Sequence, residues 1–198
     1  RVLFRSIFYK TNDVLVHVEL IAHPSQYEEH LKGEYQVDIY KYAMKMELDG
    51  RHYYLDLAEK TKNTGIKNIL TMMADSEAKH YNIILSMQKN DKAHYSTDSE
   101  DLTKVKNIFE RMKEEKKELD VDASQVEFYR EALEVEANSE KFYLERADEE
   151  KDPHNKQIFL TLAKEEKSHC ILLENLVNLV SQPDTWVENP EWYHVEED

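Results

Sequence analysis

Two sets of three side chains recur in this 198-residue chain at a constant offset of 89. Glu47 returns as Glu136, and Glu77-x-x-His80 returns as Glu166-x-x-His169. Four carboxylates and two imidazoles in two equivalent units suit a pair of oxygen-preferring metal ions. Carboxylates bridge cations and neutralise their charge, and imidazole adds a borderline nitrogen donor. The mixture favours iron or manganese over copper or structural zinc. Four carboxylates also balance two divalent ions. Without metal they would repel one another and raise some of their own pKa values, so the empty site should cost stability.

One Glu-x-x-His by itself means little. With nine histidines in a glutamate-rich chain, about one such match is expected by chance. Glu191-x-x-His194, in the tail, has no partner carboxylate and reads as that chance match. On an acidic helix the pattern is ordinarily a solvated face. The other two copies differ in their surroundings. Glu77 and His80 lie among Met72, Met73, Ala74, Ile83 and Ile84, and Glu166 and His169 among Leu160, Leu162, Ala163, Leu172 and Leu173. Charged groups on an apolar stripe must be paired or metal-bound, because burying them unpaired is too costly.

Helix periodicity positions these residues. Tyr40, Ala43, Glu47, Gly50, Tyr54 and Leu57 step by three or four from Asp38 onward, up to turn residues at Lys62-Asn63-Thr64-Gly65. Ile66, Ile69, Leu70, Met73, Glu77, His80, Ile83, Ile84 and Met87 form the stripe of a second helix. Residues 91–99 read as a loop and 102–119 as a further helix with an apolar edge at Val105, Ile108, Phe109 and Met112. Ser124-x-x-Glu127 reads as a capping box opening a third long helix towards Glu150. Asp152-Pro153 is an N-cap and first-turn pair for a fourth, which ends near Ser181.

The repeat extends beyond the ligand types. Tyr40 matches Tyr129, Ala43 matches Ala132, Tyr54 matches Tyr143, Ala58 matches Ala147 and Ala74 matches Ala163. Within each copy the two glutamates lie about 15 residues either side of a turn, so both arms reach the same height, roughly 22 Å from it. Each histidine follows its glutamate by one turn on the same face. Two such hairpins packed together would place all six side chains in one layer. The expected architecture is therefore all-α, a bundle of two helical hairpins over residues 37–181 joined by a long crossover that contains an additional helix. Residues 1–36 form an extension in which 14–22 has strand character and Ser25-x-x-Glu28 a cap pattern; 182–198 form an aromatic and acidic tail docked through Trp186, Trp192 and Tyr193.

Tyr54 and Tyr143 lie two turns after Glu47 and Glu136, where their hydroxyls would either hydrogen-bond the carboxylates or serve as ordinary core aromatics. Met72, Met73 and Met87 read as packing, Glu134 and Glu140 as solvated, and Cys170 as a small buried residue. The formal net charge of -15 disfavours nucleic acid and anionic membranes as partners. A single cysteine leaves no disulfide within these residues and fits a reducing cytoplasm. No apolar run approaches the roughly 20 residues of a membrane span.

AMKMELDGRHYYLDLAEKT (43–61), MMADSEAKHY (72–81), ALEVEANSEKFYLERA (132–147) and LAKEEKSH (162–169) resemble the ligand helices of rubrerythrin-type members of the ferritin-like superfamily. The likeness covers about residues 37–181, and the ligand pattern of di-metal carboxylate bundles matches in order and register. It implies a ferritin-like four-helix bundle with a di-iron centre held by Glu47, Glu77, His80, Glu136, Glu166 and His169, with manganese or zinc as other occupants. It further implies reduction of hydrogen peroxide or oxidation of ferrous iron by peroxide or oxygen, in a di-ferrous to di-ferric cycle, and pairing of chains into a homodimer. Two departures bear on the reaction. Rubrerythrins carry a rubredoxin domain with two Cys-x-x-Cys pairs, absent from this sequence, so electrons would come from a separate donor such as a rubredoxin. They also carry an extra glutamate three residues after the third-helix ligand, where this chain has Ser139. Three readings follow: a peroxide reductase, an iron-handling ferroxidase, and a non-catalytic metal-binding bundle.

Overall fold

The computed structural model describes residues 6–11, 14–19, 38–89, 100–114, 122–183 and 186. Its backbone divides into two units, Arg1–Ile39 and Tyr40–Asp198. In the first, β1 (Ser6–Thr11) and β2 (Val14–Glu19) pair antiparallel, Ser6 opposite Glu19 and Thr11 opposite Val14. The β-branched run expected to be a strand is one over 14–19; the sequence pattern does not announce the strand before it. Residues 20–22 and the Ser25 cap pattern lie outside the described residues.

The second unit is an all-α bundle. α1 (Ile39–Lys60) and α2 (Thr64–Gln88) form the first hairpin. α3 (Glu100–Glu114) lies in the crossover. After a 3-10 turn at Ala123–Gln125, α4 (Val126–Glu149) and α5 (Pro153–Ser181) form the second hairpin. The predicted loop at 91–99 and the end of the third predicted helix, 115–119, lie outside the described residues.

Local chemistry sets these boundaries. The Asn63 side chain accepts from the Ile66 amide at 3.1 Å and opens α2 two residues earlier than the apolar stripe implies. Asp152 accepts from the His154 and Asn155 amides, with Pro153 in the first turn. The expected Ser124 capping box does not form. Asp122 is the cap, accepting from the Ser124 amide at 2.9 Å and the Ser124 hydroxyl at 2.6 Å, and these bonds lower the pKa of its carboxyl. An ionised acceptor two residues upstream outcompetes a hydroxyl for the same free amides.

Hairpin two packs against hairpin one upside down. Gln125, at the start of α4, donates to the Lys60 carbonyl at the end of α1 (3.2 Å), and Tyr129 donates to Gln125 (3.0 Å). Farther along, Tyr54 meets Glu136, and Tyr143 meets Glu47. α1 and α4 therefore run antiparallel, and so do α2 and α5, where His80 faces Glu165 and Glu166. The two turns lie at opposite ends of the bundle.

At the first-turn end, Tyr54, Leu57, Ile66, Ile69, Leu70, Met73, Tyr129, Leu173 and Leu176 join one apolar cluster. α3 closes it with Val105, Ile108, Phe109 and Met112, and Trp186 packs on Phe109 with ring centroids 5.5 Å apart. Gly65 permits this lid, since a Cβ there would collide with Met112 Sδ. At the other end, Ala43, Met44, Ile84, Phe142, Tyr143, Phe159 and Leu162 are buried. Between the two apolar ends lies a layer of buried carboxylates and imidazoles. Trp192 and Tyr193 lie outside the described residues.

Candidate metal centre

Each of the six residues singled out by the repeat is buried. Glu47, Glu77, Glu136, Glu166 and His169 are at most 5 % exposed and His80 is 0 % exposed. All come from mid-helix positions that the 3.6-residue period turns inward: Glu47 from α1, Glu77 and His80 from α2, Glu136 from α4, Glu166 and His169 from α5. The folded chain brings all six together.

They form two overlapping groups of four. One is Glu47, Glu77, His80 and Glu166; the other is Glu77, Glu136, Glu166 and His169; in each, the ligand atoms lie within 4.8 Å of one another. Glu77 and Glu166 belong to both. Nδ1 of His80 stands 3.3 Å from Glu47, 3.6 Å from Glu77 and 3.0 Å from Glu166. Nδ1 of His169 stands 3.1 Å from Glu77, 3.4 Å from Glu136 and 3.5 Å from Glu166. The two rings stack with centroids 5.7 Å apart. Both histidines thus turn the same nitrogen inward.

The two tyrosines bind carboxylates, and each reaches across to the other hairpin. Tyr54 donates to Glu136 Oε1, and Tyr143 donates to Glu47 Oε1. Both rings are also core aromatics, at 2 % and 0 % exposure, so the two roles considered for them coincide. Burial and the nearby carboxylates push both phenols well up. They therefore stay protonated donors.

Electrostatics show how the site manages its charge without metal. Burial, then repulsion from Glu166 and Glu77, raises Glu47 well above the usual carboxylate range; burial and the same two charges raise Glu136. For Glu77 burial pushes upward too, but its close neighbours Glu47, His169 and His80 prevail and bring it to about 2. Burial likewise opposes ionisation of Glu166, yet the charge of His80 and the neighbouring Glu136 and His169 hold it well below the usual value. Desolvation disfavours charge on both imidazoles, and the surrounding carboxylates overcome it, so both rise. Two carboxyls shift toward the neutral acid, two toward the carboxylate and both imidazoles toward the cation, so the shifts all act to balance charge in the buried layer.

Protons alone do not satisfy the layer. Glu47 Oε2, Glu77 Oε1, His80 Nδ1 and Glu166 Oε1 are buried without a hydrogen-bond partner. Each such atom carries a desolvation cost of about 1–3 kcal/mol. All four face inward, and their donor chemistry, three carboxylate oxygens and an imidazole nitrogen, fits a hard or borderline cation. The layer fits metal.

Sequence reasoning missed Glu165. The Nε2–H of His80 donates to Glu165 Oε2 at 2.6 Å, from outside the cluster. A carboxylate only accepts, so this bond keeps a proton on Nε2 and makes Nδ1, which faces the other carboxylates, the nitrogen that a metal would take. Glu165 breaks the repeat, since 89 residues earlier stands Ser76, and a search for what recurs passes over it. Its place beside Glu166, on the edge of α5 nearest α2, was the available signal. Two smaller readings need correction. Cys170 is half-buried rather than buried, because the residue after His169 turns to the bundle's edge; burial and the adjacent carboxylates push its thiol up to about 12. Glu140 is half-buried, unlike the exposed Glu134, and its charge is among those acting on Cys170.

Among the described residues no helix is long and apolar enough to cross a membrane. The family model described as Rubrerythrin matches residues 38–177. No curated protein and no solved structure matches the chain.

Proposed function

The chain belongs to the rubrerythrin family, and from that premise we propose that it is a non-haem di-iron oxidoreductase that reduces hydrogen peroxide with electrons from a separate donor protein. The observation that carries the two-metal reading is the sharing of Glu77 and Glu166 between both ligand groups. Two metals would be held by Glu47 with His80 and by Glu136 with His169, with Glu77 and Glu166 common to both groups. Two iron ions would supply the chemistry, giving up one electron each as the pair passes from di-ferrous to di-ferric.

The chain's own groups do the rest. Tyr54 and Tyr143 hold the outer oxygens of Glu136 and Glu47, which fixes where the inner oxygens point. Glu165 holds the tautomer and tilt of His80. The apolar ends of the bundle, with Met73 and Ala74 on one side and Ile84 and Phe142 on the other, keep bulk water off the layer. Divalent metal would compete with protons at Glu47, Glu136 and both histidines, whose pKa values are all raised. Family likeness also supports a cytoplasmic, paired protein served by a rubredoxin-type donor.

Ser139 favours a second reading. It is buried in α4 one turn after Glu136, at the position where rubrerythrins have their extra glutamate. A site without that mobile carboxylate suits oxidation of ferrous iron for iron handling. Stopped-flow absorbance separates the two. The anaerobically reduced, iron-loaded protein should be oxidised faster by hydrogen peroxide than by oxygen; an oxygen reaction as fast or faster overturns the peroxidase reading and leaves ferroxidase chemistry.

A further inference from the structure

We propose that the two metal positions are unequal, and that Glu165 acts as a positioning residue that makes the His80 position the tighter of the two. The inference rests on the two-metal reading above and goes beyond it, since the repeat by itself makes the halves equivalent.

Three observations favour the same side. The first is the break at Glu165. α2 and α5 run antiparallel, the partner of His80 is residue 165, and the position that the repeat makes equivalent to it is residue 76. Glu165 bonds His80 Nε2 at 2.6 Å, while position 76 holds a buried serine, which carries no charge. An anionic acceptor on the far nitrogen orients the ring and strengthens the near nitrogen as a donor to a cation.

The second concerns the cost of leaving the site to protons. Of the layer's buried atoms without hydrogen-bond partners, three cluster at His80: its own Nδ1, Glu47 Oε2 at 3.3 Å and Glu166 Oε1 at 3.0 Å; the fourth, Glu77 Oε1, lies 3.1 Å from His169 Nδ1. On the other side the His169 Nδ1–H already donates to Glu136 Oε2 at 3.4 Å. A cation at the His80 position gains three orphaned ligand atoms and one at the His169 position a single one, where Nδ1 is already bonded to Glu136 Oε2. The third is enclosure. The His80 side chain is 0 % exposed and that of His169 is 7 % exposed, so the His169 position is the one nearer solvent. That position is accordingly the exchangeable one.

The test is titration of the metal-free full-length chain with Co²⁺, followed by calorimetry and by cobalt ligand-field absorption. The expected result is two resolved steps, the first at least tenfold tighter. His80→Ala should remove the tight step and His169→Ala the weak one. Glu165→Ala should weaken the tight step about 10–100-fold and leave the weak step in place, so the two converge. Glu165→Gln, which keeps an acceptor but loses the charge, should fall between. Ser76→Glu should tighten the weak step. Glu165 is 23 % exposed, so its variants should fold, and unchanged far-ultraviolet dichroism checks this. Two indistinguishable steps in the parent chain, the reverse assignment of the histidine variants, or a Glu165→Ala chain that shifts both steps alike would overturn the proposal while leaving the two-metal centre standing. A parent chain that takes up no Co²⁺ and no Fe²⁺ would overturn both.

Discussion

The two hairpins, α1–α2 and α4–α5, are built from the same pattern and differ at the places that matter for chemistry. Glu47, Tyr54, Glu77 and His80 have counterparts in Glu136, Tyr143, Glu166 and His169, and every one of these pairs is buried and engaged across the interface. Beside that likeness stand two substitutions in register: Ser76 against Glu165 and Gly50 against Ser139. The shared spacing builds a container with two places for metal. The unmatched residues decide how alike those places are. A repeat is therefore good evidence for where a site is and poor evidence for what its halves do.

The largest expected effect tests the shared carboxylates against the unshared ones. Glu77→Ala or Glu166→Ala should abolish stable uptake of both metals, whereas Glu47→Ala or Glu136→Ala should leave one of two, measured as metal per chain after desalting. Equal losses from all four variants would erase the distinction between bridging and terminal groups.

Removing the metal from the parent chain comes next, and pH gives it a sign. Glu47 and Glu136 are raised from 4.5, and His80 and His169 from 6.5. The folded, metal-free chain thus holds protons that the unfolded chain releases, and the stability they confer is complete below the unfolded values and is lost as pH rises through the folded ones. Glu77, lowered to about 2, and Glu166 contribute oppositely: their stability is present above 4.5 and is lost in acid. As pH rises above about 6.5, the unfolded value for histidine, the raised groups govern, so the metal-free melting temperature should fall with rising pH. Metal replaces those protons, so the gain on loading should widen over the same range. A gain that shrinks with pH in differential scanning calorimetry would contradict this charge assignment.

A smaller effect tests the reciprocity of the tyrosines. Tyr54→Phe and Tyr143→Phe should each destabilise the loaded protein by about 1.5–3 kcal/mol, the range for a buried hydrogen bond to a charged group, and by similar amounts in urea unfolding. The smallest effect concerns Gly50 and Ser139. A Cβ at Gly50 would sit 3.6 Å from Glu77 Cγ, in ordinary contact. Gly50→Ala should therefore stabilise by up to about 1 kcal/mol through helix propensity, while Ser139→Ala should change stability by less than about 0.5 kcal/mol. A destabilised Gly50→Ala chain would mean that the backbone there is needed closer to the metal layer than it stands.

Much of this molecule is legible in its sequence. The apolar period locates all four long helices, because a buried stripe on a long helix repeats several times and tolerates local noise. Turn chemistry works where one residue dominates, as at Asp152-Pro153, and fails where two candidates compete, as at Asp122 and Ser124. The six ligand-type residues are visible because duplication wrote them twice. Glu165 is not, since it occurs in one copy only, and neither is the inversion of one hairpin on the other. That inversion follows from which end of α1 meets α4, a long-range fact carried by Gln125 and Lys60 rather than by any local pattern.

Inversion has a further consequence. Two identical hairpins docked this way would be related by a twofold axis running between Glu77 and Glu166, and each would present the same surface to the other. In a true dimer of such hairpins, any change at one residue would be made twice, and the position of Ser76 and Glu165 could not be serine on one side and glutamate on the other. Covalent continuity through residues 88–123 lifts that restriction. One chain, keeping the geometry of a symmetric assembly, can place different side chains on the two sides of its own axis.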